Sequence, residues 1–200
     1  MMKKSKRSDV DPFIVMDVME SARIAEEKGK DIIHMEVGQP GTPAPKIAKD
    51  YITNEINKNN LGYTVSLGLP ALRAKISKLY GDWYNLDLNP NRIVVTTGSS
   101  GAFILSFSAL FDSGDRVGIG SPSYPSYRQI LKSLSLETVD IQTKLQNRFQ
   151  PVPEDITDNN LNGILVASPA NPTGSMLDKQ SLENLINTCL LYTSDAADDC

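Results

Sequence analysis

The run RIVVTTGSSGAFILSFSAL, residues 92–110, orders the rest of the chain. A short β-branched stretch, Ile93 to Thr96, stops at Gly98-Ser99-Ser100-Gly101, and an apolar segment of helical length follows at once. Strand, small-residue turn and helix start leave backbone N–H groups unpaired and aim a helix dipole at one point. An anion, most often a phosphate, suits that point, and Ser99 and Ser100 add hydroxyl donors. Read alone, the stretch also fits a purely structural turn. It is no Walker A loop, since no Gly-Lys-Ser/Thr closes it, and the Gly-x-Gly-x-x-Gly dinucleotide spacing is absent.

Outward from this run, strands alternate with helices. A helix is expected from an Asp11 N-cap and Pro12, with Ile14, Val18, Ala22 and Ala25 on one face, up to Gly29. A short strand, Ile32 to Val37, then enters the loop Gly38-Gln39-Pro40-Gly41-Thr42-Pro43. Pro45 opens a second helix carrying Ile47, Tyr51 and Ile56. Pro70 opens a third, with Leu72, Ile76, Leu79, Tyr80 and Trp83 on its apolar side. After the central run come a strand at Val117 to Ile119, the loop Ser121 to Pro125, a helix Tyr127 to Leu134, and strands Thr138 to Ile141 and Gly163 to Ala167. The loop Ser168 to Gly174 and a helix over Lys179 to Asn187 that buries Leu182, Leu185 and Ile186 complete the pattern. Crossovers of this kind predict an α/β fold with a mainly parallel sheet covered by helices. Ligands in such sheets bind beyond the carboxyl ends of strands. The loops at Gly98–Gly101, Ser121–Tyr124 and Ser168–Gly174 should therefore share one edge.

Composition narrows the classes. The 200 residues are 40% hydrophobic and 22% charged with a net charge of −4, an ordinary globular balance. Nothing favours nucleic acid or an anionic membrane. The basic run Lys3 to Arg7 reads as a solvated tail with no apolar segment behind it, and no apolar run reaches membrane-spanning length. A cytoplasmic location is expected. The two cysteines, Cys189 and Cys200, stand far from His34, the single histidine, so no metal site is expected. His34 reads as a packed or surface residue rather than a catalytic base.

Five segments in fixed order resemble the class I/II, fold-type I aminotransferases that use pyridoxal 5′-phosphate: Gly38-Gln39-Pro40; Gly62-Tyr63-Thr64 with Gly68-Leu69-Pro70-Ala71-Leu72-Arg73; Thr97-Gly98-Ser99-Ser100-Gly101-Ala102; Pro122-Ser123-Tyr124; and Asn171-Pro172-Thr173-Gly174. The resemblance implies that Ser99 and Ser100 hold the cofactor phosphate and that Tyr124 stacks on its pyridine ring. It also implies that Asn171 hydrogen-bonds the phenolic oxygen, and that Tyr63 reaches the phosphate of a neighbouring subunit, hence a homodimer. Gly38 would bring its backbone to the substrate carboxylate. Without the resemblance, Tyr124 reads as a core tyrosine, Asn171 and Gly38 as turn residues, and Tyr63 as a loop aromatic.

The same resemblance assigns residues 1–40 to an N-terminal arm and small-domain segment, whose helix and short strand precede the first part of a three-layer large domain at residues 41–188. The implied reaction moves an amino group between an amino acid and a 2-oxo acid. Another reaction on the same fold, such as carbon–sulfur lysis, and a non-catalytic cofactor-binding module are the alternatives. The family's pyridinium-pairing aspartate, Schiff-base lysine and carboxylate-gripping arginine have no counterpart here. No catalytic residue is therefore assigned, and the 200 residues alone are expected to be inactive and poorly soluble. Residues 189–200 resemble read-through translation of a sequencing adapter and are expected to be a non-native tail.

Overall fold

A computed structural model describes residues 3–58 and 62–192. Two units divide the chain: residues up to Phe13 together with those from Ser99 onward, and Ile14–Gly98.

The first unit is built around strand β1 (Arg116–Ser121), which pairs in parallel with β2 (Glu137–Gln142) on one side and β3 (Gly163–Leu165) on the other. Parallel strands need crossover connections. Helix α5 (Pro125–Ser133) links β1 to β2, and the short α6 (Pro153–Thr157), absent from the sequence reading, lies between β2 and β3. Helix α4 (Gly98–Leu110) precedes the sheet and α7 (Lys179–Tyr192) follows it.

Both faces of β1 are closed. Val117 and Ile119, 1% and 0% exposed, pack with Phe107 of α4, Leu131 of α5 and Leu136. A side chain of that size contributes about 1.5–3 kcal/mol when fully buried. On the opposite face Gly118 lies against Leu161, Ile141 and Ile164. At the open end of the pairing Arg116 meets Glu137, its register partner on β2. The arm ahead of Phe13 docks on α5: Gln129 donates to the Asp11 carbonyl at 3.2 Å, and Arg7 Nε donates to Ser135 Oγ at 3.2 Å.

The second unit holds α1 (Ile14–Glu27), α2 (Lys46–Ile56) and α3 (Pro70–Tyr84). Buried Arg73 of α3 donates to the Pro90 carbonyl at 3.0 and 2.8 Å and to Asn91 Oδ1 at 2.9 Å, and Ser77 Oγ donates to the Leu88 carbonyl. At Gly68 (φ 97°) a Cβ would fall 2.5 Å from Val95, whose amide donates to the Leu67 carbonyl.

Several expectations need correction. Ile93–Thr96 is not a strand: among the described residues it joins no ladder, and the Val95 amide donates to the Leu67 carbonyl. Ile32–Val37 likewise lacks a ladder. Helix α1 begins at Ile14, not at an Asp11 cap, because the Asp11 carbonyl is engaged by Gln129. Ile14 and Val18 of α1, and Ile47, Tyr51 and Ile56 of α2, are exposed, so helical periodicity marked apolar faces that nothing described here covers. Leu72, Leu79, Tyr80 and Trp83 of α3 are exposed too, and in α7 Leu185 is buried while Leu182 and Ile186 are exposed. Helix α7 runs on through Cys189 into the segment read as a tail; the rest of that segment, with Cys200, lies outside the described residues.

A Cβ built on Gly163 of β3 would sit 2.4 Å from Phe111 Cζ, whereas at Gly120 the nearest atom is 3.4 Å away. Gly163→Ala should therefore cost about 1–3 kcal/mol and Gly120→Ala much less. Chemical denaturation of the two variants checks the difference, and Phe111→Leu should recover part of the Gly163→Ala loss.

Candidate functional site

Because β1 and β3 run parallel as neighbours, the segments after Ser121 and Leu165 emerge at the same sheet edge. A small cavity of about 20 Å³ marks the place, lined by Gly120, Pro122, Tyr127, Leu165, Ala170 and Asn171. Tyr124, the residue before Pro125 opens α5, is held edge-on by two rings, Phe13 at 6.1 Å and Tyr127 at 5.5 Å. Tyr127 in turn meets Phe103 of α4 at 5.1 Å. Burial and the nearby Tyr124 push the Tyr127 phenol above its ordinary value.

Ser99 lies one helical turn ahead of Phe103 on the same face of α4, so the aromatic chain Phe103–Tyr127–Tyr124 ties the start of that helix to the sheet edge. The helix begins at Gly98 itself. Gly98–Gly101 is thus the first turn of α4 rather than a loop ahead of it, and Ser99 and Ser100 are both exposed there. First-turn amides have no partner inside their own helix. Two hydroxyls and a helix N-terminus form a donor set for a phosphate.

Asn171 sits on a closed loop. The Ala170 amide donates to the Ser175 carbonyl at 2.9 Å, and the Gly174 amide to the Ala170 carbonyl at 2.7 Å. Thr173 Oγ1 and Ser175 Oγ are 2.8 Å apart, and the Leu177 amide donates to Ser168 Oγ. Behind the loop stands Gln150, 4% exposed, whose Nε2 reaches the Ala167 carbonyl, the Ser175 carbonyl and Ser175 Oγ at 3.2, 3.0 and 3.3 Å. Gln150 follows two successive left-handed residues, Arg148 (φ 54°) and Phe149 (φ 53°). Such a conformation costs a residue other than glycine about 1–2 kcal/mol.

The structure therefore brings Ser99, Ser100, Tyr124 and Asn171 into one unit. A helix N-terminus with hydroxyls, a tyrosine and an amide side chain fit a cofactor that carries a phosphate, an aromatic ring and a ring oxygen. Tyr63, fully exposed, and Gly38 belong to the other unit. A Cβ at Gly38 would meet nothing within 4 Å. Its neighbours Val37 and Gln39 line a cavity of about 550 Å³ shared with Met16, Arg23, His34 and Glu36.

His34 is a surface residue, the second of the two alternatives read for it, and lies outside any strand. Nδ1 lies 2.6 Å from Glu36 Oε1 and Nε2 2.8 Å from Glu26 Oε1, at 46% side-chain exposure. Glu36 chiefly, then Glu26, raises the imidazolium pKa to about 9, and His34 holds the Glu36 carboxyl below its ordinary value. Among the described residues no cluster of three or more His, Cys, Asp or Glu could hold a metal ion. Cys189 is half-buried, which raises its thiol pKa. Gln150 and Tyr127 escaped the sequence reading. A lone glutamine in Arg-Phe-Gln-Pro carries no spacing signal, and Tyr127 reads only as an apolar position of α5.

Comparison with known proteins places the chain. Residues 30–195 match the family described as aminotransferase class I and II, and the chain belongs to that family. It is 41% identical over 185 residues to valine–pyruvate aminotransferase of Mycobacterium tuberculosis, covering 92% of this chain and 48% of that protein. A crystallised aminotransferase from Mycobacterium tuberculosis superposes with a TM-score of 0.88 at 40% identity, covering 94% of this chain and 49% of the other. A candidate aminotransferase from Silicibacter pomeroyi gives a TM-score of 0.84 at 57% identity, covering 95% and 49%. The chain thus spans about half the length of the relatives it matches, and its fold is that of the fold-type I enzymes.

The His34 pairing sets a pH dependence. Its folded pKa lies above the ordinary 6.5, so its contribution to stability is complete below pH 6.5 and is lost as pH rises through about 9. A ring-proton NMR titration should find that raised midpoint, and Glu36→Gln should lower it more than Glu26→Gln.

Proposed function

We propose that the chain is the cofactor-binding portion of an aminotransferase that moves an amino group between an amino acid and a 2-oxo acid. Family membership implies pyridoxal 5′-phosphate. The observation that supports the reading is that the segments bearing Tyr124 and Asn171 leave neighbouring parallel strands at the same end, where Tyr127 joins Tyr124 to Phe103 of α4.

Bound there, the cofactor would supply the electron sink for amino transfer. Ser99, Ser100 and the first-turn amides of α4 grip the phosphate with charge-assisted hydrogen bonds. Tyr124, steadied by Phe13 and Tyr127, offers its ring to the pyridine. The Asn171 amide donates to the phenolic oxygen and so favours its ionised form. Gly38 contributes backbone to the substrate carboxylate, and Tyr63 reaches the phosphate across a homodimer. In this arrangement residues 1–40 serve as arm and small-domain segment, and residues 41–188 as the first part of the cofactor-binding domain.

A relative named for valine and pyruvate supports an amino acid and a 2-oxo acid with small uncharged side groups. No helix among the described residues is long and apolar enough to cross a membrane.

The full-length protein tests this. Loaded with pyridoxal phosphate, it should release no more than one equivalent of valine's 2-oxo acid per site without an acceptor, the amino group staying on the cofactor, and should turn over repeatedly only when pyruvate is supplied. Release of ammonia without any 2-oxo acid acceptor would point to a lyase and refute the reading. Ser99→Ala with Ser100→Ala should weaken cofactor binding at least tenfold by fluorescence titration, equivalent to about 1.4 kcal/mol.

A further inference from the structure

We propose that Gln150 is a positioning residue: its buried amide clamps both ends of the Ala167–Ser175 loop and so fixes where Asn171 meets the cofactor's phenolic oxygen. The proposal rests on the role of Asn171 given above and adds a residue that does not itself touch the cofactor.

Three observations carry it. One Nε2 spans the loop's entry, the Ala167 carbonyl, and its exit, the Ser175 carbonyl and hydroxyl. The Ser175 carbonyl also accepts from the Ala170 amide, next to Asn171. Pulling on Ser175 therefore moves the very turn that presents Asn171. Asn171 is exposed, and among the described residues no side-chain hydrogen bond holds it, so the backbone beneath it sets where it points.

Gln150, by contrast, is almost wholly buried, where an amide that lost its acceptors would be costly. The segment leading to it also bears strain that a simple connection would avoid. Arg148 and Phe149 are both left-handed without being glycine, and the Phe149 and Gln150 amides donate back to the Lys144 and Asn147 carbonyls to hold that shape. Strain that persists between ordinary elements marks a place where geometry is being enforced. What it enforces here is the delivery of one side-chain amide to the back of the loop.

The clamp differs from a packing role in what it controls. A residue that merely filled space would affect stability alone. A residue that sets Asn171 also alters the ionisation of the bound cofactor, because a misplaced donor no longer favours the phenolic oxyanion.

The test uses the full-length holoenzyme and reads the pH at which the bound cofactor's visible absorption band changes, for wild type, Asn171→Ala, Gln150→Met and the double variant. Hydrogen exchange at the Gly174 amide is read in the cofactor-free protein. Asn171→Ala should raise the midpoint by about one pH unit and Gln150→Met should raise it in the same direction. The double variant should go no further than Asn171→Ala, the mark of two residues acting through one contact. Gly174 exchange should quicken about tenfold in Gln150→Met.

A shift with Asn171→Ala but none with Gln150→Met overturns the clamp and leaves the Asn171 reading standing. Additive shifts overturn it too, since Gln150 would then act by another route. No shift with Asn171→Ala defeats the underlying reading and the clamp with it. Should Gln150→Met not accumulate folded, Gln150→Asn, one methylene too short to span both ends, is read in the same way.

Discussion

The burial of β1 between two parallel neighbours is the constraint on which the first unit depends. A strand with both edges paired and both faces covered cannot carry an unpaired charge at its centre and must match its side chains to the space each covering layer leaves. Val117-Gly118-Ile119 meets that demand with two branched apolar side chains on one face and none on the other. Pairing fixes the direction of β2 and β3, and parallel pairing sends the chain out of every strand at the same end. The loops that bear Tyr124 and Asn171 meet because the ladder leaves them no other exit.

Aromatic contacts then do for α4 what hydrogen bonds do for the strands. The series Phe111, Phe107 and Phe103 runs up one side of that helix and ends on Tyr127 and Tyr124. The first turn, rich in Gly and Ser, is a poor helix former by propensity. It is held in helical form by the packing of the residues behind it. That leaves its hydroxyls and amides facing outward, where a phosphate would find them.

Much of this was legible in the sequence, for reasons that differ by residue. Pro125 and Pro70 open helices because their fixed φ suits the first helical position, and Gly29 stops α1 in a left-handed turn. The strands at 116–121 and 137–142 were legible at Val117–Ile119 and Thr138–Ile141, where branched residues alternate between turns. Ile93–Thr96 looked the same and failed, since β-branched composition describes a residue's preference but not whether a neighbouring strand exists to pair with it. The apolar stripes of α1 and α2 were read correctly as stripes, yet periodicity says only which residues want cover. The segments bearing Ser99, Tyr124 and Asn171 stood out through the order of their motifs, and the roles proposed for them rest on that order. Gln150 did not stand out, because the three acceptors its amide meets come together only after folding.

The N-terminal arm has a consequence for the order of assembly. Strand β1 finds β2 about twenty residues downstream, a short search that local chain motion completes quickly. Arg7 and Asp11 have their partners at Ser135 and Gln129, separations of 128 and 118 residues. During synthesis those partners do not yet exist when the arm leaves the ribosome, and all of Ile14–Gly98 is made in between. Arg7 and Asp11 are thus made more than a hundred residues before the partners that fix them.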